Sequence, residues 1–319
     1  MINQISDKIK QAKKILLISH VNPDGDTLGS VCAMKLYIGD KADILIQTEK
    51  EKGIPDIYKF LPEITKAKFL DTVEDIYDLA IALDVASIDR IIETPRKIFD
   101  KIDTICIDHH KTNKGYAKIN LIKGGYSSTG EVLFDLFTES GIKITKDMAD
   151  CLYVAILTDT GCFRYETVTN KTFLAASKLF EIGVDTSDIA KKCYDNKPKS
   201  MVTFQADIIS NAKFVFDNKV AYAIITDDKM KEYKVKNEHT EGIAETLRSI
   251  NTVDISIVLK ENENKTTKVS LRSKTIDLTP VVEKFKGGGH KMAAGCTIRK
   301  PAKIAVELIL DEIAKCMNS

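Results

Sequence analysis

The chain has 319 residues, of which 44% are hydrophobic and 29% are charged, so it is long enough for two globular domains and too apolar for a disordered protein. Its 47 basic residues nearly cancel its 46 acidic residues, leaving a net charge of +1. This balance excludes the global positive field that binds long duplex nucleic acid.

The cysteines and the apolar runs limit where the protein can act. Seven cysteines occur without a CxxC pair, a pattern typical of reduced thiols, so we expect a cytoplasmic protein. Apolar runs such as Ile15–Ile18 are too short to span a bilayer, and the polar stretch Met1–Lys14 predicts no signal peptide. We therefore expect no membrane partner.

The first half of the chain predicts an α/β domain over residues 1–185, in which strands and helices alternate. The buried parallel strands are predicted at Lys14–Ser19, Ala42–Gln47, Leu79–Leu83 and Thr104–Ile107. The helices are predicted at Thr27–Ile38, Glu131–Ser140, Lys146–Ile156 and Lys171–Glu181. Such alternation indicates a doubly wound, mainly parallel sheet with helices on both faces and ligands at the carboxyl ends of the strands.

The second half predicts a smaller α/β domain over residues 205–319. Residues 186–204 are rich in lysine and contain Pro198, which indicates a helix followed by an interdomain connection. The strands beyond it are predicted at Phe214–Phe216, Val220–Ile225, Ile255–Leu259 and Lys268–Leu271. The helices are predicted at Glu241–Arg248, Thr279–Phe285 and Ala302–Lys315.

The first cluster of chemically active side chains follows the first strand. It contains His20, Asp24 and Asp26 within seven residues, and Pro23 and Gly25 predict a tight loop between them. One imidazole and two carboxylates form a site suited to Mn²⁺ or a similar divalent ion. The alternative is that Asp26 or Thr27 only caps the next helix, but a cap requires neither the histidine nor a second aspartate.

Three more clusters each end an apolar segment. They are Asp84, the triplet Asp108-His109-His110, and Asp159 in Thr158-Asp159-Thr160-Gly161. Taken singly, Asp84 is better explained as a helix cap, whereas Asp159 is explained equally well as an acidic C-terminal turn before a glycine. Together, four such clusters in one α/β domain are expected to meet at one edge of the sheet. Paired divalent ions held there can catalyse an in-line displacement at phosphorus.

The order of these clusters resembles that of the DHH phosphoesterases, whose namesake motif is Asp108-His109-His110 in this chain. Further on, Lys286-Gly287-Gly288-Gly289-His290 resembles the signature of the DHH-associated substrate domain. Ser270-Leu271-Arg272-Ser273 and the segment from Glu241 to Arg248 also fit that pattern. The resemblance covers nearly the whole chain, with every motif in order. It implies a metal-dependent hydrolase of phosphate esters.

The resemblance also implies roles for individual residues. His20, Asp24 and Asp84 would hold one ion. Asp26, Asp84, His109 and Asp159 would hold the other, so that Asp84 bridges two ions, expected to be Mn²⁺. Asp108 would orient a ligand histidine, and His110 would face the scissile phosphate as a hydrogen-bond donor or as the proton donor to the leaving group.

The glycine run is predicted to bind substrate. Gly287, Gly288 and Gly289 permit close approach of the backbone to a ligand and an anion-binding nest of N–H groups beside His290; the alternative is a flexible turn. The chain has only six arginines among its 47 basic residues. Among those in the inferred substrate domain, Arg248 and Arg272 are predicted to bind substrate together with Ser273, since a guanidinium suits a terminal phosphate.

Several substrates remain open at this stage. The resemblance implies hydrolysis of oligoribonucleotides of about two to five nucleotides to mononucleotides, of 3′-phosphoadenosine 5′-phosphate to AMP and phosphate, or of both. The alternatives are a phosphodiesterase of cyclic dinucleotides or of their linear products, and a nucleotide-binding regulator without catalysis. The regulator is disfavoured because unused buried charges are costly. A homodimer is also compatible with the sequence.

Overall fold

The computed structural model describes residues 1–47, 53–70, 72–73, 76–262 and 264–317. The chain forms two compact units, Met1–Asn196 and Lys197–Ser319. This division falls inside the range 186–204 that the sequence predicts as a connection, while the limits 1–185 and 205–319 stay predictions. That range contains helix α7 (Thr186–Tyr194) and the first part of helix α8 (Lys199–Ser210), with Pro198 between them. Proline disfavours helical backbone in the residue before it, which explains the break.

The first unit contains a parallel sheet with the strand order β2-β1-β3-β4-β5 among its described residues. Its strands are β1 (Ile15–Ile18), β2 (Ala42–Leu45), β3 (Leu79–Leu83), β4 (Asp103–Asp108) and β5 (Ile119–Ile122). The β1 and β3 residues are fully or almost fully buried, because alternate side chains enter cores on opposite faces of the sheet. The predicted doubly wound α/β fold is confirmed.

Helices cover both faces of this sheet. They are α1 (Ile2–Gln11), α2 (Gly25–Ile38), α3 (Glu93–Phe99), α4 (Thr129–Glu139), α5 (Lys146–Asp159), α6 (Asn170–Ile182) and α7 (Thr186–Tyr194). One core contains Leu28 of α2 and Leu152 of α5, and the other contains Phe99 of α3. The four predicted helices correspond to α2, α4, α5 and α6.

Three elements of the first unit were not predicted. In α1 the buried residues Ile5 and Ile9 are four positions apart, which is helical spacing inside an otherwise polar segment. The helix α3 is short and contains Pro95 in its first turn. The strand β5 has only four residues. Short or polar elements give weak periodic patterns, and packing against the rest of the unit stabilises them.

The second unit contains a mixed sheet with the order β10-β11-β9-β8-β7-β6 among its described residues, in which only β7 and β8 are parallel. Its strands are β6 (Lys213–Val215), β7 (Val220–Thr226), β8 (Ile255–Glu261), β9 (Thr267–Ser273), β10 (Gly288–His290) and β11 (Ala293–Ile298). The strands predicted there correspond to β6, β7, β8 and β9.

Two cores lie on the two faces of this second sheet. The helices of the unit are α8 (Lys199–Ser210), α9 (Asp227–Tyr233), α10 (Ile243–Ser249), α11 (Thr279–Glu283) and α12 (Ala302–Met317). The predicted helices at α10, α11 and α12 are confirmed, whereas α8 and α9 were not predicted. Across the described parts of both units, no helix has the length and apolar character needed to cross a membrane.

Candidate functional site

The four predicted clusters come together in the first unit. His20 follows β1, Asp84 follows β3 and Asp108 is the last residue of β4, and these three strands are neighbours in the sheet. The carboxyl ends of parallel strands meet at one edge. The fourth cluster differs, because Asp159 is the last residue of helix α5 and not of a strand.

One group of potential metal ligands consists of His20, Asp24 and Asp84. The Nε2 atom of His20 lies 3.6 Å from Oδ2 of Asp24 and 3.5 Å from Oδ2 of Asp84. Its other ring nitrogen, Nδ1, lies 2.8 Å from the carbonyl oxygen of Val21. That contact fixes the proton on Nδ1 and leaves Nε2 as the ligand atom.

Asp24 also caps helix α2. Its Oδ1 accepts hydrogen bonds from the backbone N–H groups of Asp26 and Thr27 at 3.1 and 3.2 Å. The sequence had suggested Asp26 or Thr27 as the cap, but the helix begins at Gly25, before either residue. Capping and metal binding are compatible in Asp24, since each uses a different carboxylate oxygen.

A second group consists of Asp26, His109 and Asp159. The Nε2 atom of His109 lies 3.7 Å from Oδ2 of Asp26 and 3.3 Å from Oδ2 of Asp159. The Nδ1 atom of His109 lies 3.2 Å from the carbonyl oxygen of Tyr126. His109 is therefore oriented by a backbone carbonyl, in the same way as His20.

Asp84 lies between these two groups. Its Oδ2 faces His20, while its Oδ1 lies 3.6 Å from Nε2 of His109. The residue has a φ of 60°, in the left-handed region that non-glycine residues seldom adopt. This backbone conformation places a nearly fully buried carboxylate where each of its oxygens faces a different group.

His110 lies beside the two groups, and Asp108 contacts it. The Oδ1 atom of Asp108 lies 2.8 Å from Nδ1 of His110, whereas Nδ1 of His109 faces the carbonyl oxygen of Tyr126. The two imidazole rings lie side by side, with their centroids 4.6 Å apart. His110 also lies close enough to Asp84 and His109 for the three to form a further potential metal group.

The electrostatics of the site favour a cation. Burial and the carboxylates of Asp84 and Asp159 raise the pKa of Asp26 well above its usual range. Burial raises the pKa of Asp159 to about 7, because His109 only partly offsets it and Asp84 adds to it. Burial lowers the pKa of His20, but Asp24 and Asp84 outweigh this effect and raise it to about 10.

These shifts fit a metal site by their physical origin. Carboxylates that crowd together bind protons in order to limit their mutual repulsion. A divalent ion neutralises the same charge and can replace those protons. The ligand atoms within each of the three groups lie within 4.8 Å of one another. Carboxylate oxygens and imidazole nitrogens are donors that Mn²⁺ and similar ions accept.

Helix α4 supports the site through residues that the sequence did not single out. The backbone N–H groups of Thr129 and Gly130 donate to the two oxygens of Asp26 at 2.8 and 3.0 Å. The hydroxyl of Thr129 donates to Oδ1 of Asp84 at 3.1 Å. The sequence does contain a pattern that predicts the start of this helix, Ser128-x-x-Glu131. In the structure, the hydroxyl of Ser128 accepts a hydrogen bond from the N–H of Glu131.

Arg90 is a second residue that the sequence did not single out. Its Nη2 lies 3.4 Å from Nδ1 of His20, and its carbonyl oxygen accepts a hydrogen bond from Gln47 at 3.0 Å. Burial raises the pKa of Asp24, but His20, the N–H of Thr27 and, after them, the positive charge of Arg90 outweigh this effect and lower it. A lone arginine in a loop gave no pattern in the sequence that could have identified it.

The residues predicted to bind substrate lie in the second unit, around the end of β9. Ala293 of β11 pairs with Arg272 on one side and with His290 of β10 on the other. Paired residues share a face of a sheet, so Arg272 and His290 project from the same face. Arg272 Nε lies 2.7 Å from Oε1 of Glu245, and Glu245 and Arg248 are neighbours on α10.

Ser273 and the glycine run differ from expectation. Ser273 is buried, and its hydroxyl oxygen accepts hydrogen bonds from the N–H groups of Thr275 and Ile276, which is a turn-forming role. Gly288–His290 form an edge strand paired with β11, and not a nest or a flexible turn. A Cβ on Gly289, whose φ is 140°, would lie 2.5 Å from the carbonyl oxygen of Ala293.

Comparisons with known proteins agree with this architecture. Residues 14–156 match the DHH family, N-terminal domain, and residues 217–319 match the DHHA1 domain. A Streptococcus mutans protein named probable bifunctional oligoribonuclease and PAP phosphatase NrnA is 29% identical over 90% of both chains. A Bacillus subtilis protein with the same name, without "probable", is 27% identical over 89% of both chains. An exopolyphosphatase-related protein from Bacteroides fragilis superposes with a TM-score of 0.90 at 26% identity, covering 98% of this chain and 95% of the other.

Proposed function

Because this chain belongs to the DHH family and carries a DHHA1 domain, it is a phosphoesterase, and we propose that it hydrolyses short oligoribonucleotides to mononucleotides and 3′-phosphoadenosine 5′-phosphate to AMP and phosphate. The names of the Streptococcus mutans and Bacillus subtilis relatives support both substrates. The observation that carries the proposal is the pair of ligand groups that share Asp84, with His110 beside them.

We assign two divalent ions to these groups, and Mn²⁺ is the ion that we expect. His20, Asp24 and Asp84 would hold one ion, and Asp26, Asp84, His109 and Asp159 would hold the other. When bound, such ions supply a water of lowered pKa and neutralise charge on the phosphoryl oxygens. The contribution of the chain is rigidity, because Asp26 is fixed by two backbone N–H groups and both ligand histidines are fixed by carbonyl oxygens.

His110 is assigned the proton transfer. In hydrolysis, the water oxygen forms a new bond to phosphorus, and the bond from phosphorus to the ribose oxygen breaks. The ribose oxygen then needs a proton, which Nε2 of His110 can donate while Nδ1 remains bonded to Asp108. Burial lowers the pKa of His110, but Asp108 and other nearby carboxylates raise it above its ordinary value, which favours the protonated donor.

The second unit is assigned the recognition of a terminal phosphate. Arg272 supplies a guanidinium that is only partly engaged by Glu245, and His290 projects from the same face of the sheet. Arg248 adds a second guanidinium on the neighbouring helix. Planar guanidinium groups bind phosphate in two-pronged fashion and distinguish a terminal phosphate from an uncharged end.

A substrate panel tests this function. The purified protein with Mn²⁺ should convert a dinucleotide to mononucleotides and 3′-phosphoadenosine 5′-phosphate to AMP, as resolved by chromatography. Cyclic dinucleotides and a long single strand serve as comparison substrates, and Asp84→Ala as the inactive control. Turnover of a cyclic dinucleotide alone would overturn the proposed substrates, and no turnover of any phosphodiester would leave only nucleotide binding.

A further inference from the structure

A buried amide lies behind His110 and has contacts on several sides. Asn113 is 9% exposed and follows the DHH triplet by three residues. Its Nδ2 donates to Oδ2 of Asp108 at 2.7 Å. The same nitrogen lies 3.3 Å from the carbonyl oxygen of Val85 and 3.5 Å from Sγ of Cys106. Asn113 thus connects the loop after β4 with the loop after β3.

The orientation of this amide is determined by its surroundings. The Oδ1 atom of Asn113 accepts a hydrogen bond from the N–H of Gly115 at 2.9 Å. An N–H can be accepted only by the amide oxygen, so the amide nitrogen must be the atom that faces Asp108. Asn113 therefore occupies one oxygen of Asp108 and leaves the other for His110, at 2.8 Å from Nδ1.

This arrangement decides which nitrogen of His110 faces outward. A carboxylate that accepts from Nδ1 keeps the proton there and leaves Nε2 for the substrate. Asp108 is completely buried, so its carboxylate can rotate only if its hydrogen bonds are lost. The bond from Asn113 opposes that rotation, because a buried carboxylate oxygen without a donor is costly.

The same amide also contacts the backbone behind Asp84. The Val85 carbonyl oxygen accepts a hydrogen bond from the hydroxyl of Tyr116 at 2.9 Å, in addition to its contact with Asn113. Val85 directly follows Asp84, whose φ is 60°. Asn113 consequently touches both the carboxylate that orients His110 and the segment that holds the shared metal ligand.

We propose that Asn113 is a positioning residue that holds Asp108 and thereby keeps His110 in place to protonate the leaving oxygen. This inference rests on the proposed role of His110. The alternative is that Asn113 only stabilises the turn, since its N–H also donates to the carbonyl of His110 at 3.2 Å. The two explanations differ in one measurable respect. Only the positioning role predicts that the fall in kcat after substitution of Asn113 depends on the leaving group of the substrate.

The experiment compares two substrates with different leaving groups. The leaving group of a dinucleotide is a ribose alkoxide, which needs a proton. The leaving group of bis-p-nitrophenyl phosphate is p-nitrophenolate, which is stable without one. The main variant is Asn113→Asp, which in its ionised form keeps an acceptor for the N–H of Gly115 and has no donor to Asp108. The matched control is Tyr116→Phe, which removes the other donor to the Val85 carbonyl, together with its contact to Cys106, and leaves Asp108 and Asn113 in place.

In Asn113→Asp we expect kcat for the dinucleotide to fall about 10- to 100-fold, the usual loss when a supporting hydrogen bond of a site is removed. KM and metal content should stay within about twofold, and kcat for bis-p-nitrophenyl phosphate should fall less than about threefold. Tyr116→Phe should show no such difference between the substrates. Asn113→Ala adds no buried charge and should show the same selective fall in kcat for the dinucleotide. It replaces Asn113→Asp as the test variant if Asn113→Asp does not fold.

Equal losses on both substrates in both Asn113 variants would overturn the inference and leave Asn113 as a turn-stabilising residue. His110→Ala separates this result from failure of the proposed function. If His110→Ala is selective for the dinucleotide while the Asn113 variants are not, only the positioning role is wrong. If His110→Ala is itself unselective, the proton-donor role on which the inference rests is wrong.

Discussion

Asp84 combines a left-handed backbone conformation with a nearly fully buried carboxylate whose two oxygens face different ligand groups. Such a conformation costs about 1–3 kcal/mol and persists only where the surroundings hold it. The N–H of Asp84 donates to the carbonyl of Ile107 at 3.0 Å, and Thr129 donates to its side chain. At the scale of single residues, Asp84 is therefore the side chain on which both proposed metal positions depend.

Asp84→Ala should lower bound metal well below the content of His20→Ala, because it removes a ligand from both positions and not from one. We expect close to no Mn²⁺ after equilibrium dialysis and no turnover of phosphodiesters. Elemental analysis of the dialysed proteins measures the difference. About two ions per chain in Asp84→Ala would show that Asp84 is not shared.

His110→Ala should retain its metal and lose about 10²- to 10⁴-fold in kcat for a dinucleotide, the usual contribution of a positioned proton donor. The reason is that Nδ1 of His110 is hydrogen-bonded to Asp108, and neither of the two proposed ion positions includes His110 among its ligands. His109→Ala is the matched control and should lose metal. If His110→Ala instead loses one ion, then His110 binds the metal and His109 serves the phosphate.

At the scale of elements, the site depends on how closely α4 packs against α5. The N-terminus of α4 supplies two backbone donors to Asp26. A Cβ added to Gly130 would lie 2.4 Å from Cβ of Ala155 on α5. A Cβ on Gly29 of α2 would lie 2.4 Å from the carbonyl oxygen of Cys151, also on α5. Glycine thus permits both helices to approach α5.

Gly130→Ala should lower the free energy of unfolding by about 1–3 kcal/mol, because the added methyl group overpacks the contact with Ala155. It should also weaken Mn²⁺ binding, since a shift of α4 moves both donors to Asp26. Gly125→Ala is the control, as a Cβ there meets nothing within 4 Å. Urea denaturation and metal titration provide the measurements. Equal stability of the two variants would show that the helices have room to separate.

At the scale of the whole molecule, the two units have separate cores, and the proposed metal ligands all belong to the first. Ligands far apart in sequence come together only in the folded unit, so metal should stabilise that unit. At a free metal concentration 100 times Kd, the gain is about 2.7 kcal/mol.

We therefore expect two thermal transitions in calorimetry, of which only one moves when metal is removed with EDTA. The shift should be roughly 5–10 °C, from about 2–4 °C per kcal/mol for a unit of this size. Asp84→Ala without EDTA is the control and should match the EDTA-treated wild type. A single transition that moves as a whole would contradict independent unfolding of the units.

The second unit contributes the prediction on substrate recognition. Arg272→Ala should raise KM for a dinucleotide by roughly 10- to 150-fold, the loss of a charge-assisted contact of about 1.5–3 kcal/mol. It should leave metal content and turnover of bis-p-nitrophenyl phosphate nearly unchanged. Glu245→Gln, which keeps the guanidinium and removes its partly exposed ion pair, is the control for stability. Equal losses of activity on both substrates would show that Arg272 stabilises the fold and does not bind the terminal phosphate.

The sequence by itself determined the elements with strong local patterns. The apolar runs in β1 to β4 predicted a parallel sheet, because strands buried on both faces are apolar at most positions. The same runs placed His20, Asp84 and Asp108 at one edge of that sheet, since parallel strands end on the same side. The family resemblance then named the ligands, which the spacing alone could not do.

Only the tertiary structure decided which groups support those residues. Asp26 depends on N–H donors 103 and 104 residues away, at Thr129 and Gly130, and no local pattern encodes such a contact. The glycine run pairs with β11 because its backbone can approach closely, although glycine carries no side-chain pattern that predicts a strand. Asp108 orients His110 and not His109 because the direction of each side chain follows from the backbone after β4.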